Sequence, residues 1–371
     1  MLTSGRSAER PSSELKEYTV PVPARRPLAA VAAAGLLSFG LVACGSGGDD
    51  AGDPGKPGDK TITVYSGRNE TLVKPLLDRF SEQTGITVKT RYATTAQLAA
   101  QLVEEGDNSP ADAFFAQDAG ALGAVAKRGM FAPLPAADLE KVPQTFRSRT
   151  GQWVGVSARS RVLAYNADTV PAAELPRSVF ELTDPKWKGK IGLAPTNASF
   201  QAFVTAIRVQ HGDQKAKDFL AGLKANEPQI RDNNVKIVED VDNGTIPVGL
   251  VNHYYLGEVA KEKGTTPDGL KVKLHFFPGG DTGALVNVAG VGVLKRSAED
   301  PDTKAFVDFL LNPESQRYFA EQTFEYPVVT GVAAPAGVPP LADLDTPDID
   351  LNDLDTLDVT IKMITESGLV P

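Results

Sequence analysis

Two adjacent tyrosines, Tyr254 and Tyr255, are the side chains in this sequence best suited to hold a hard cation. An apolar, strand-like run precedes them and ends at Asn252, and a helical pattern follows over Leu256–Lys263. Neighbouring side chains point to opposite faces of a strand, but they lie about 100° apart in the first turn of a helix. With Asn252 as the N-cap, both phenols would converge above the helix end. If both phenols ionise, they form an anionic oxygen pair that suits Fe³⁺. The alternative is that the two rings pack against the protein and their hydroxyls face solvent.

The composition excludes several other classes of protein. The chain has 371 residues, 42% of them hydrophobic and 23% charged, which is enough for two domains with real cores. Its net charge of −9 argues against binding to nucleic acid. One cysteine allows neither a disulfide framework nor a cysteine-based zinc site. The three histidines do not form an HExxH pattern, so a zinc hydrolase is not expected.

The N-terminal residues have the pattern of a signal peptide followed by a lipid-attachment site. Arg25 and Arg26 precede an apolar run over Leu28–Val42, which has the length of a signal-peptide core. Leu41-Val42-Ala43-Cys44 resembles a bacterial lipobox, which implies cleavage before Cys44 and attachment of lipid to its sulfur. We therefore expect a signal peptide over 1–43, a Gly-rich tether over 44–60 and a protein held outside the cell membrane by lipid. The alternative is a short buried helix with a chance cysteine.

Alternating strand and helix patterns follow the tether. A β-α-β-α-β-α order predicts a parallel sheet in an α/β domain, and its elements are Thr61–Tyr65, Leu72–Gln83, Ile86–Tyr92, Thr94–Glu105, Pro110–Ala116 and Ala119–Arg128. Ligands of such sheets bind beyond the carboxyl ends of the strands. Two loops at that edge, Ser66–Glu70 and Gln117-Asp118, are therefore candidate parts of a site.

Further along the chain, two strand pieces flank a polar run. Trp153–Val156 and Arg161–Tyr165 read as separate strands on either side of Ser157–Ser160, where the chain could cross between domains. Near the end, the acidic run Asp348–Asp353 resembles a calcium loop but lacks its glycine and its bidentate glutamate. We interpret it as a solvated connector before a last helix over Val359–Ser367.

Several motifs together resemble one family, the ferric-ion-binding proteins of bacterial ABC importers. They occur in the order of that family: Val64-Tyr65-Ser66-Gly67-Arg68, Ser109–Phe115, Ser157–Val162, Asp184-Pro185-Lys186-Trp187-Lys188, Asn243-Gly244, Asn252-His253-Tyr254-Tyr255, Gly283–Val286 and Glu325-Tyr326-Pro327. The Asp-Pro-Lys-Trp-Lys motif is shared with binding proteins for other solutes. The tyrosine pair is the iron-specific motif.

The resemblance implies an α/β fold of the type II periplasmic-binding-protein class, with two lobes joined by crossing strands and closing on the ligand. Lobe 1 would comprise 60–157 and 284–325, and lobe 2 would comprise 158–283 and 326–371. Tyr254 and Tyr255 would be the metal ligands. The protein would not be an enzyme; it would be a monomer that delivers Fe³⁺ to an ABC permease and its ATPase.

This sequence departs from the family pattern in its first lobe. Asn69 stands where many members have a histidine ligand, and Gln117, followed by Asp118, stands where many have a glutamate. Fe³⁺ with two phenolates keeps one positive charge, and a buried charge is costly unless it is neutralised. We therefore expect an anion such as carbonate, phosphate or a citrate-type chelator to complete the site. Arg159 and Arg161 offer planar donors for it, or else form salt bridges between the lobes.

Other residues are candidates by their position in the family pattern. Ser157, Asn233 and Asn252 match positions associated with anion binding, and Arg68 is a further candidate. Tyr165 lies near the position of a third tyrosine ligand in some members, but we expect it to pack in the core. We expect His253 to be a polar surface residue.

Two other functions remain open from the sequence. The same scaffold could bind an organic anion such as a phosphonate or a sugar phosphate, because the histidine and glutamate ligands are missing. A metal-dependent hydrolase is the second alternative, although the sequence has no nucleophile elbow, no paired catalytic carboxylates in the site loops and no Gly-rich phosphate loop.

Overall fold

A computed structural model describes residues 60–370, so the predicted signal peptide, Cys44 and nearly all of the predicted tether lie outside the described residues. Within that range the chain alternates strands and helices, as the sequence predicts. The strands are β1 (Thr61–Ser66), β2 (Thr87–Tyr92), β3 (Ala113–Ala116), β4 (Val154–Asn166), β5 (Ile191–Leu193), β6 (Gln229–Ile230), β7 (Val248–Asn252), β8 (Val272–His275), β9 (Val286–Val293) and β10 (Tyr326–Pro327).

The helices cover both faces of the strands with apolar side chains. They are α1 (Glu70–Thr84), α2 (Thr95–Glu105), α3 (Ala119–Lys127), α4 (Ala136–Leu139), α5 (Ala198–His211), α6 (Asp213–Ala225), α7 (Asn234–Asp242), α8 (Tyr255–Glu262), α9 (Pro301–Leu310), α10 (Pro313–Gln322) and α11 (Leu357–Glu366). Local chemistry sets their ends. A capping box of Thr94 and Gln97 starts α2, and Gly85, at φ 72°, ends α1 in the left-handed conformation that glycine tolerates best.

The strands form one sheet with two differently built halves. Its order is β2-β1-β3-β9-β4-β7-β5-β6, with β8 and β10 also paired to β4. β1 is parallel to β2 and β3, and β5 is parallel to β6 and β7. The strands β4 and β9 run antiparallel between these two parallel sets. The predicted α/β fold with crossing strands is confirmed.

The prediction of two strand pieces around Ser157–Ser160 is wrong. β4 is one strand of 13 residues, with a bulge between Gly155 and Ser157. Its first half pairs with β9 and its second half pairs with β7 and β8. The polar run stays in the strand because every residue from Val154 to Ser160 except Val156 has a ladder partner in β9. β4 therefore links the two halves of the sheet and carries Arg159 and Arg161 across the junction.

The C-terminal residues close over helices from both halves of the sheet. The 3-10 helix Leu351–Leu354 packs on α3, and α11 packs on α5, where the Thr205 and Thr360 hydroxyls lie 2.7 Å apart. In the predicted connector, Asp350 accepts a hydrogen bond from Nε of Arg149 at 2.7 Å. The helix predicted over Val359–Ser367 is confirmed with slightly earlier bounds. The proposed lobe boundaries stay a prediction.

None of the helices between residues 60 and 370 is both long enough and apolar enough to cross a membrane.

Candidate metal and oxyanion site

The tyrosine pair lies where β7 gives way to α8. β7 ends at Asn252, His253 and Tyr254 form a turn, and α8 begins at Tyr255. The rings of Tyr254 and Tyr255 lie side by side, with centroids 4.1 Å apart and planes inclined by 33°. The two phenols therefore leave the chain on the same side, which the start of a helix allows and a strand interior does not.

The predicted N-cap role of Asn252 is wrong. Tyr254 occupies the cap position without a side-chain cap bond, because the two-residue turn separates Asn252 from the helix. The Asn252 side chain instead accepts a hydrogen bond from Nη1 of Arg161 at 3.4 Å, and its Nδ2 atom has no partner within residues 60–370. This leaves Asn252 as a donor for a ligand.

Burial keeps both phenols neutral in the metal-free protein. Tyr254 is 2% exposed and Tyr255 is 9% exposed. Burial raises the pKa of Tyr254 well above its ordinary value, and the neighbouring Tyr255 raises it further. Burial also raises the pKa of Tyr255, with an added contribution from Glu258. Only a strong positive charge could ionise the pair at neutral pH.

A chain of polar contacts ties Tyr254 to the first strands. Gln117, just after β3, lies with its Nε2 atom 3.5 Å from the Tyr254 hydroxyl, and its Oε1 atom accepts from Nη1 of Arg68 at 3.0 Å. Arg68 is also bound by both oxygens of the buried Glu325. Arg68 is thus the partner of Glu325, and its charge is already compensated. Its predicted role in anion binding has no support from these contacts.

Next to the tyrosines lies a small polar cavity of about 10 Å³, room for one water-sized group. It brings together four residues that the sequence predicts for ligand binding: Gln117, Arg159, Arg161 and Asn252. The other residues of its lining are Asp118, Ser199, Leu285 and Asn287. We call this cavity the oxyanion pocket.

Buried donors without partners dominate the oxyanion pocket. Within residues 60–370, Nη1 of Arg159, Nε of Arg161 and Nδ2 of Asn252 have no hydrogen-bond partner. Unpaired buried donors are rare in folded proteins because each costs about 1–3 kcal/mol. Three of them around one cavity indicate a site for an anion.

The two arginines are held differently. Arg161 donates through Nη2 to the Leu250 carbonyl at 2.8 Å and through Nη1 to Ser199 Oγ at 3.2 Å, and burial lowers its pKa to about 9. Arg159 has no salt-bridge partner in the described part of the chain, and burial lowers its pKa as well. Between residues 60 and 370, therefore, neither arginine shows the alternative role of a salt bridge between lobes.

Replacing Arg159 with methionine is expected to raise the free energy of unfolding of the metal-free protein by about 1 kcal/mol, because a buried, unpaired charge is removed. The same change should weaken phosphate binding at least tenfold. Urea unfolding and calorimetry with phosphate measure the two effects. A variant that loses stability and keeps its phosphate affinity would show that Arg159 has a structural role only.

Three predicted ligand residues do not line the pocket. Asn69 is exposed and caps α1 by accepting from the Thr71 N–H at 3.0 Å. Asn233 is also exposed and caps α7 by accepting from the Lys236 N–H at 2.9 Å. Ser157 is buried between β9 and β10, with no partner for its hydroxyl within residues 60–370. Tyr165 is half-buried and packs against the core, as expected.

The structure adds two residues that the sequence does not single out, Ser199 in the lining of the pocket and Asn234 beside it. Asn234, the neighbour of the predicted Asn233, is fully buried and donates to Ser199 Oγ at 3.2 Å. Its side chain also contributes to the pKa of Tyr255, which places it beside the tyrosines. An Asn-Asn pair at a helix start offers one side chain for the cap and a second for a site, and this signal was present in the sequence.

The prediction that His253 lies on the surface is wrong. His253 is 1% exposed, stacks on Tyr326 at 4.4 Å between ring centroids, and accepts from the Ser160 N–H at 3.1 Å. Burial lowers its pKa to about 4, so it is neutral at pH 7. His253 therefore fixes the turn before the tyrosines against β4.

In the described part of the chain, carboxylates and imidazoles do not form a conventional metal site. Within residues 60–370, no group of three or more His, Cys, Asp or Glu side chains is placed to hold a metal ion. A hard cation bound here would rely on the two phenols and on oxygens from an additional ligand.

The chain is similar to known solute-binding proteins in both sequence and structure. A sequence profile described as bacterial extracellular solute-binding protein matches residues 108–351. An Fe(3+)-binding periplasmic protein from Serratia marcescens is 33% identical over 93% of this chain and 97% of its own. The crystal structure of iron-bound HitA from Pseudomonas aeruginosa is 36% identical and covers 83% of this chain and 99% of that chain, with a TM-score of 0.78.

A further solved structure is that of a Trichodesmium protein, IdiA (FutA), in complex with iron and citrate. It is 30% identical, covers 83% of this chain and 99% of that chain, and has a TM-score of 0.71. The chain therefore belongs to the bacterial extracellular solute-binding protein family, within its group of ferric iron-binding proteins with the two-lobe type II periplasmic-binding fold.

Proposed function

We propose that this protein captures Fe³⁺ with Tyr254 and Tyr255 and completes the site with a small oxyanion held by Arg159 and Arg161. The observation that carries the proposal is the pair of aligned, buried phenols directly beside a cavity of unpaired donors. The relatives support it, since one is an Fe(3+)-binding periplasmic protein and another has a solved structure with iron bound. They are binding proteins rather than enzymes, which is consistent with a non-enzymatic role here.

The charges of the site require an anion. Fe³⁺ and two phenolates leave one positive charge, and Arg159 and Arg161 add two more. Asp118, which lines the same pocket, removes one. The remaining two positive charges in a buried site match a dianion such as hydrogenphosphate. Gln117 and Asn252 can donate hydrogen bonds to it without changing the balance.

The size of the oxyanion pocket favours a small inorganic anion over a chelator. A cavity of about 10 Å³ admits one water-sized group, so even a small oxyanion needs some opening, and a citrate or sugar phosphate needs far more. We therefore rank the organic-anion alternative below iron with hydrogencarbonate or phosphate.

The experiment that tests the proposal is a titration of the metal-free protein with Fe³⁺ in the presence of phosphate or hydrogencarbonate. We expect a visible charge-transfer band that saturates at one iron per chain, with the same ratio from elemental analysis. Absence of colour and of bound iron with every anion would refute the proposal.

We infer further that the protein is anchored by lipid at Cys44 and passes iron to an ABC permease and its ATPase. The sequence Leu41-Val42-Ala43-Cys44 supports the anchor, and membership of the solute-binding protein family supports the transporter. We expect Cys44→Ser to move the protein from the membrane fraction to the soluble fraction, as seen by immunoblotting after fractionation. Retention of the variant in the membrane fraction would contradict the lipid anchor.

A further inference from the structure

The oxyanion pocket contains one acidic side chain, Asp118, which offers an acceptor where the other unpaired atoms are donors. Asp118 is 3% exposed and is the N-cap of α3, where its Oδ1 atom accepts from the Ala121 N–H at 2.9 Å. Its Oδ2 atom is buried and has no hydrogen-bond partner within residues 60–370. Capping α3 therefore uses one oxygen of the carboxylate and leaves the other beside the pocket that Asp118 lines.

An anion without a hydroxyl hydrogen cannot donate a hydrogen bond to Oδ2 of Asp118. The unpaired atoms of Arg159, Arg161 and Asn252 are all donors, so they bind the lone pairs of an oxyanion. Asp118 Oδ2 would then face an oxygen of the same ligand. Two oxygens in contact without a hydrogen between them repel each other, and the buried carboxylate stays unpaired.

We propose that Asp118 makes the oxyanion pocket selective for a small anion that carries a hydroxyl hydrogen, of the hydrogenphosphate or hydrogencarbonate type, over one that carries none, such as sulfate. This inference rests on the proposed function. Hydrogenphosphate and hydrogencarbonate keep an O–H group at neutral pH and can donate it to Oδ2, while their other oxygens accept from Arg159, Arg161 and Asn252. Sulfate has no hydrogen to donate.

The competing explanation is that Asp118 serves only as a helix cap. Asparagine separates the two explanations because it caps helices as well as aspartate does. In Asp118→Asn the amide oxygen can keep the bond from Ala121, while the amide nitrogen places a donor where Oδ2 was an acceptor. A capping role predicts no change in anion preference, whereas our proposal predicts that the preference disappears.

Calorimetry on the metal-free protein at pH 7.5 and constant ionic strength measures the effect directly. We expect phosphate to bind about 100-fold more tightly than sulfate, because a site with a buried unpaired acceptor strongly rejects a ligand that lacks the matching donor. In Asp118→Asn we expect the two affinities to differ by less than about threefold. The matched control is Asp300→Asn, the N-cap of α9, where Oδ2 accepts from the Thr303 N–H at 3.0 Å. It should keep the 100-fold preference.

Two outcomes would overturn the proposal: equal affinity for both anions in the unchanged protein, or an unchanged preference in Asp118→Asn. If neither anion binds the metal-free protein, the same comparison is made by the visible band of the ferric complex, and no difference between phosphate and sulfate there also overturns it. Discrimination between anions without any iron colour would refute the proposed iron capture and leave this inference standing.

Discussion

Replacing Tyr254 with phenylalanine is expected to lower the affinity for Fe³⁺ by about 10²- to 10⁴-fold and to weaken the visible absorption band. The change removes one of two anionic ligands from a buried cation, and breaking a buried charge pair costs about 3–5 kcal/mol. Tyr255→Phe should have a similar effect, because its ring lies beside that of Tyr254. The double variant should bind no iron at micromolar concentration. Competition with a chelator of known affinity gives the numbers.

Tyr165→Phe is the matched control for these variants. Tyr165 is half-buried, packs against the core and does not line the oxyanion pocket. We expect its affinity and absorption band to equal those of the unchanged protein. Loss of iron in Tyr165→Phe together with retention in Tyr254→Phe would mean that the tyrosine pair is not the metal site.

Iron capture is expected to release two protons from the phenols for each Fe³⁺ bound. Burial raises the pKa of both tyrosines above the ordinary value of 10, so both are protonated in the metal-free protein at any pH from 5 to 8. Binding must displace both protons across this range, so the affinity should fall by about 100-fold for each unit by which the pH falls. Acid therefore favours release of the metal.

Calorimetry in buffers of different ionisation enthalpy gives the number of protons released when iron binds. The protons exchanged by the anion and by the chelator that delivers the iron must be subtracted. Tyr255→Phe provides the control, since one phenol fewer should lower the count by one. A count near zero in the unchanged protein would show that the phenols do not ionise on binding.

The sequence predicts most of the fold because the local signals agree with one another. The β-α-β-α-β-α order over β1 to α3 was recognisable from apolar periodicity, and the bounds of α11 were close. The convergence of Tyr254 and Tyr255 followed from the predicted helix start, although the N-cap is Tyr254 rather than Asn252. Gln117 and Asn252 could be assigned to the site from the family pattern, and Arg159 and Arg161 from their donor chemistry. The structure brings all four to one cavity.

The rest depended on contacts that sequence does not reveal. Asn69 and Asn233 looked like ligands, but an asparagine before a helix satisfies backbone N–H groups first, and both are caps. His253 looked exposed because members of the family vary at this position, yet it stacks on Tyr326, which lies 73 positions later in the numbering. The partner of Arg68, Glu325, lies 257 positions later in the sequence. Such long-range pairs appear only once the chain is folded.

Anomalous scattering at the iron absorption edge, from crystals of the ferric complex grown with phosphate, tests the central claim most directly. We predict one iron peak per chain, bound by the phenolate oxygens of Tyr254 and Tyr255, with the phosphate between the metal and the guanidinium groups of Arg159 and Arg161. An iron peak elsewhere, or one at this place with both phenols turned away from the metal, would contradict the account.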